Sequence, residues 1–132
     1  RAANPELTVA LDLTAEWDKV SEAGSLMQGC VVVRKAFADE HPNEVKAFLD
    51  EYKASIEFLT AEPEQAGQMI QDAGIFAKAA VAAKAIPNCN VCFVAGAEMQ
   101  APLTAFLTAL STVAPQSIGG SVPGDDFYCV LK

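Results

Sequence analysis

The stretch Gly29–Ala66, GCVVVRKAFADEHPNEVKAFLDEYKASIEFLTAEPEQA, changes its hydrophobic period at Pro42, and that change sets the expected fold. Before the change, Cys30-Val31-Val32-Val33 is a short continuous run of mostly β-branched residues closed by Arg34-Lys35. Such a run suggests a strand buried on both faces. After it, Val45, Phe48, Leu49, Tyr52, Ile56 and Leu59 fall at offsets 0, 3, 4, 7, 11 and 14, which draws one apolar stripe along a helix. Pro42 suits the first helical position, and Asn43 and Glu44 set polar and acidic groups beside the unpaired amides of the first turn.

Upstream, Leu7, Val9, Leu11 and Leu13 alternate with Thr8, Ala10 and Asp12, the period of a half-buried strand. The segment from Thr14 to Gly29 sustains no period and reads as a loop with about one helical turn. Downstream, Pro63 opens a helix carrying Ala66, Met69, Ile70 and Ala73, with Gly74 as its stop. An alanine-rich helix is expected from Phe76 to Ile86, ending before Pro87. Asn90 to Ala95 reads as a short extended run. Met99, Leu103, Phe106, Leu107, Leu110 and Val113 mark a last helix, with Pro102 in its first turns or kinking it. Ser117–Lys132 opens with the turn signals Gly119-Gly120 and Pro123-Gly124 and reads as a surface tail. The expected fold class is therefore α/β, mostly helical with two or three short strands. Two strands make no stable sheet alone, so they are expected to join a larger one, from further sequence or from another copy of the chain.

Seventeen Asp and Glu against nine Lys and Arg give a net charge of -8, with no basic cluster larger than Arg34-Lys35. Nucleic acid is not an expected partner, because phosphate binding needs concentrated positive charge. No apolar run reaches the roughly 18 residues of a membrane-spanning helix. The chain begins at Arg1 without an initiator Met or a signal segment, and is read as a piece of a longer polypeptide.

The residues with chemical potential are few. Cys89-Asn90-Val91-Cys92 is a CxxC, yet Cys92 leads into the apolar Phe93-Val94 rather than a helix, so apolar packing outweighs thioredoxin-type redox chemistry. A disulfide among Cys30, Cys89, Cys92 and Cys129 is open in an oxidising compartment; four cysteines allow three full pairings, and spacing does not choose. A zinc site lacks its second half, so no metal is expected; the single histidine, His41, reads as the end of a loop before Pro42 or as a cap of the helix that follows. Asp125-Asp126 reads as solvated, and the glycines of the tail lack the spacing of a phosphate cradle. No cofactor is expected. Trp17, in a polar segment between the two expected strands, is either a core anchor or one wall of a ligand pocket at the mouth of a sheet.

In this order of elements the chain resembles the solute-binding proteins of bacterial ABC importers for nitrate, sulfonates, taurine and thiamine precursors, the type II periplasmic binding proteins. The match is best over Gly29–Ala66, where Arg34 or Lys35, Phe37, His41, Pro42 and Val45 fit the family's R-x-F-x-x-x-H-P-x-x-V helix start. The Pro63 helix and the closing G-x-x-P-x-D-D-F-Y also look like the family's tail. The resemblance implies a two-lobed α/β protein that closes on a small polar or anionic solute and delivers it to a membrane permease. It implies that residues 1–29 end the second lobe and form the loop before the hinge. Residues 30–132 would then be the returning hinge strand and the carboxy-terminal helices of the first lobe. Ligand contacts are implied at Asp12, Thr14, Trp17, Gly24 and Ser25, with no catalytic residue. Localisation would be extracytoplasmic, either periplasmic or lipid-anchored. Two rivals remain: an enzyme on the same fold, similar to a pyrimidine-precursor synthase, and a chain that self-associates through exposed strand edges.

Overall fold

The computed structural model describes residues 6–21 and 26–131. Its helices are α1 (Leu13–Val20), α2 (Lys35–Glu40), α3 (Pro42–Ala61), α4 (Pro63–Asp72), α5 (Ala79–Ala85) and α6 (Ala97–Val113). Short 3-10 turns cover Ile86–Asn88, Pro115–Ile118 and Asp125–Phe127. No strand occurs among the described residues, and this corrects the expected α/β class: the chain is helical. Leu7–Asp12, expected as a strand, has no ladder partner, and Leu13 already belongs to α1. Cys30–Val33 likewise runs unpaired into α2. A strand exists only through the groups that bond it from the side, and without that partner the alternating side chains stay in solvent. Val9 is 68% exposed and Val32 78%. The strand edges invoked for self-association are therefore not formed among the described residues.

The chain divides into two units, one of Ala3–Glu40 with Val94–Lys132, the other of His41–Phe93. In the second unit, Pro42 and Pro63 each sit at the start of a helix, as expected of a residue whose missing N–H would be unpaired there. Along α3 the predicted stripe is used in part. Val45 and Ile56 are buried and Leu49 and Leu59 half-buried, whereas Phe48 and Tyr52 lie at its exposed margin, stacked with centroids 5.6 Å apart. The edge of Phe93 meets Tyr52 at 6.2 Å.

Helix α4 ends as predicted at Gly74, which takes φ +69. The backbone amides of Ile75 and Phe76 turn back to the Ile70 carbonyl. Across this turn α5 packs closely on α4. A Cβ placed on Gly67 would lie 2.6 Å from the Ala79 carbonyl oxygen and 3.0 Å from the Ala83 Cβ. The Gln71 side chain of α4 accepts the Ala79 amide at 2.8 Å, satisfying a donor at the exposed start of α5. The alanine-rich helix starts later than its composition predicts, at Ala79, and the chain passes through Pro87 in a 3-10 turn instead of stopping before it. Ala66, Gly67, Ala82 and Ile86 are also buried in this unit.

In the first unit the centre is α6. Pro102 lies inside it, so the Glu98 carbonyl loses its usual helical partner. Gly96, at φ +62, makes the turn into α6, and Gly119, at φ +79, ends the 3-10 turn that follows it. The tail from Ser117 onward, expected to pack on the surface, folds back on α6: Tyr128 is buried, and the Thr104 hydroxyl donates to its phenol oxygen at 2.7 Å. Gln100 Nε2 donates to Asp125 Oδ1 at 2.8 Å. No helix of the described residues is long and apolar enough to cross a membrane.

Two substitutions test this packing in urea denaturation followed by helical circular dichroism. Gly67→Ala gains about 1 kcal/mol of helix propensity, yet forces α5 away from α4. A net loss of about 1–2 kcal/mol is expected, the overpacking cost being larger. Tyr128→Phe keeps the ring and removes the Thr104 contact, and a loss of about 0.5–1.5 kcal/mol is expected.

Candidate functional site

Three of the expected ligand contacts, Asp12, Thr14 and Trp17, lie at or within α1. Asp12 is its N-cap: Oδ1 accepts the amides of Thr14 at 2.9 Å and Ala15 at 3.2 Å. These donors have no partner within the helix, so a carboxylate at this point both satisfies them and opposes the positive end of the helix dipole. One turn further on, Lys19 bonds Glu16 at 2.6 Å on the exposed side. Asp12 thus has a local structural task that the sequence reading left out, although a D-L-T-A start is an ordinary cap signal.

Thr14 and Trp17 are half-buried. The indole of Trp17 packs on Phe106 of α6, with centroids 5.6 Å apart and planes tilted by 55°. Of the two readings of Trp17, the anchor is visible in that contact; an aromatic wall for a ligand is compatible with a ring that keeps part of its surface in solvent. Gly24 and Ser25 lie outside the described residues.

Elsewhere the groups with chemical potential are dispersed. No cluster of three or more His, Cys, Asp or Glu side chains able to hold a metal ion occurs among the described residues. His41 precedes α3 as its N-cap residue without a side-chain cap bond, its Nδ1 3.9 Å from Glu44 Oε1. Asp125 is engaged with Gln100 and starts a 3-10 turn that brings Phe127 edge-on to Tyr128, at 5.4 Å. Cys30, Cys89 and Cys92 are exposed thiols, Cys129 is half-buried, and none is in a disulfide.

The His41–Phe93 unit carries a shallow depression of about 400 Å3 between the start of α4 and α5, lined by Pro63, Glu64, Ala79, Ala80, Ala83 and Lys84. Its floor is proline and alanine, with one carboxylate and one ammonium at the rim. It offers little to orient a polar ligand, which needs several convergent donors or acceptors. Sequence reasoning missed it, because a groove between two helices depends on how close they come, and that follows from Gly67.

Asp12→Ala removes the cap of α1, and a loss of about 0.5–2 kcal/mol in the stability of the unit that holds Trp17 is expected. Asp12→Asn, which caps as well, should retain nearly all of it. Trp17 emission, read through the unfolding transition, follows both variants at the residue that the cap positions. Comparison of the chain with protein-family models, with curated proteins and with solved structures finds no match.

Proposed function

We propose that this chain serves as solute-binding component of a bacterial importer, holding a small polar or anionic organic molecule and handing it to a membrane permease outside the cytoplasm. The observation that carries the reading is the Phe37, His41, Pro42, Val45 pattern in the stretch that resembles such proteins. In support, Pro42 opens α3 and Val45 is its buried residue one turn on, so the residues of the pattern mark a helix start and its first core contact. Helix α4, opening at Pro63, follows α3 as in the pattern's continuation.

Solute contacts are assigned to Thr14, Trp17, Gly24 and Ser25. Asp12 acts through α1, by fixing the turn from which Trp17 projects. The chemistry is recognition without a covalent step: an aromatic face shields one side of the solute, and hydroxyl and backbone groups meet its polar atoms.

Trp17 is the single tryptophan, so its fluorescence reports on the assigned site without labelling. Titration with taurine, an alkyl sulfonate, nitrate and a thiamine precursor is expected to give a saturable change with one of them. The same compound should raise the thermal midpoint, by a stabilisation of about 2.7 kcal/mol at roughly 100 times its Kd. Trp17→Phe should weaken that binding while leaving the fold intact. Silence from every solute in both measurements would overturn the reading, and turnover of one of them would replace it with catalysis.

A further inference from the structure

We propose that Cys89 and Cys92 form a reversible intrachain disulfide, which makes the turn after α5 an oxidisable site. Within the unit His41–Phe93 these are the two cysteines, while Cys30 and Cys129 belong to the other unit. Both thiols are exposed. A disulfide needs Cα atoms about 4.4–6.8 Å apart, whereas three extended residues span roughly 10 Å. Of the two residues between them, Asn90 turns into the left-handed region at φ +51, so the chain is not fully extended there and the span falls below that limit. Asn tolerates that conformation better than other residues with a Cβ.

The two sulfurs have different surroundings. Cys89 Sγ–H donates to the Ala85 carbonyl at 3.3 Å. Cys92 is three residues further on, beside Phe93, whose ring meets Tyr52. The order of events follows from this difference. With glutathione disulfide as oxidant, the Cys92 thiolate attacks one glutathione sulfur, forming a mixed disulfide and releasing one glutathione thiolate. Cys89 then loses its proton to solvent and its thiolate attacks the Cys92 sulfur, releasing the second glutathione. Two protein thiols are oxidised to one disulfide, and one glutathione disulfide is reduced to two thiols. The new bond fastens the segment that sets Phe93 against Tyr52 to the end of the turn at Ile86–Asn88. The inference does not rest on the importer reading, since it uses only this turn.

The test is incubation of the whole chain with excess glutathione disulfide, followed by thiol counting and peptide mapping. Peptide mapping is expected to show Cys89 linked to Cys92 in one chain, with Cys30 and Cys129 carrying at most glutathione. Cys89→Ser is expected to stop at the glutathione adduct on Cys92, and Cys92→Ser at the adduct on Cys89. A bond from Cys89 or Cys92 to Cys30 or Cys129, a bond between chains, stable glutathione on both Cys89 and Cys92 of the unsubstituted chain, or no reaction at either would overturn the proposal. The mapping of the unsubstituted chain decides it even if a serine variant fails to fold.

Discussion

The seam between α4 and α5 has no space for a side chain at Gly67, and the order of the His41–Phe93 unit follows from that constraint. With only a hydrogen on Gly67, the Ala79 carbonyl and the Ala83 methyl approach the α4 backbone closely. The approach brings the Ala79 amide within reach of Gln71, which fixes where α5 begins. It also buries Ala66 and Ala82, residues too small to fill a wider gap. Many weak contacts then replace the bulky interlocking of a leucine core. A seam of this kind is intolerant of added volume, because neither a backbone carbonyl nor a β-carbon can swing aside.

The other unit is held differently. Among its described residues Tyr128, from the tail, is the buried one, and the hydrogen bond from Thr104 lets a phenol enter the interior with its polar atom satisfied. Gln100 and Asp125 make a second tie one helical turn earlier on α6. The Trp17–Phe106 contact adds the amino-terminal helix to the same support. Thus α6 organises this unit from three directions, even though Pro102 costs it a backbone bond. The surface ion pairs contribute less: Lys46–Asp50 and Lys35–Asp39 are exposed along their helices, where such pairs are worth about 0.3–0.5 kcal/mol.

A hydrophobic alternation is an offer of a face, and Leu7–Leu13 shows that the offer must be accepted by a partner. Leu7, Val9 and Leu11 remain more than half exposed, and so does Val32 in the other extended segment. Their apolar surface costs solvation that pairing would have relieved. The candidate site inherits the same dependence on support. Trp17 was legible as the residue of interest from its isolation in a polar segment, and the resemblance pointed to its neighbours. The capping role of Asp12 is equally legible in D-L-T-A, since an Asp before a helical run accepts the first free amides. The α4–α5 depression carries no motif at all.

By itself the sequence determined the helices whose starts carry a chemical mark. Pro42 and Pro63 fix φ and lack the N–H that a first turn cannot use, so α3 and α4 begin where these residues stand. Gly74 ended α4 for an equally local reason, its access to positive φ. Only the tertiary structure decided whether Leu7–Leu13 and Cys30–Val33 would be strands, because a strand's backbone bonds belong to another segment. It alone decided that Tyr128 would be buried and that Gly67 would be a point of contact instead of a weak spot in a helix. Those outcomes depend on distances between residues far apart in the chain, and periodicity within one element carries no such distance.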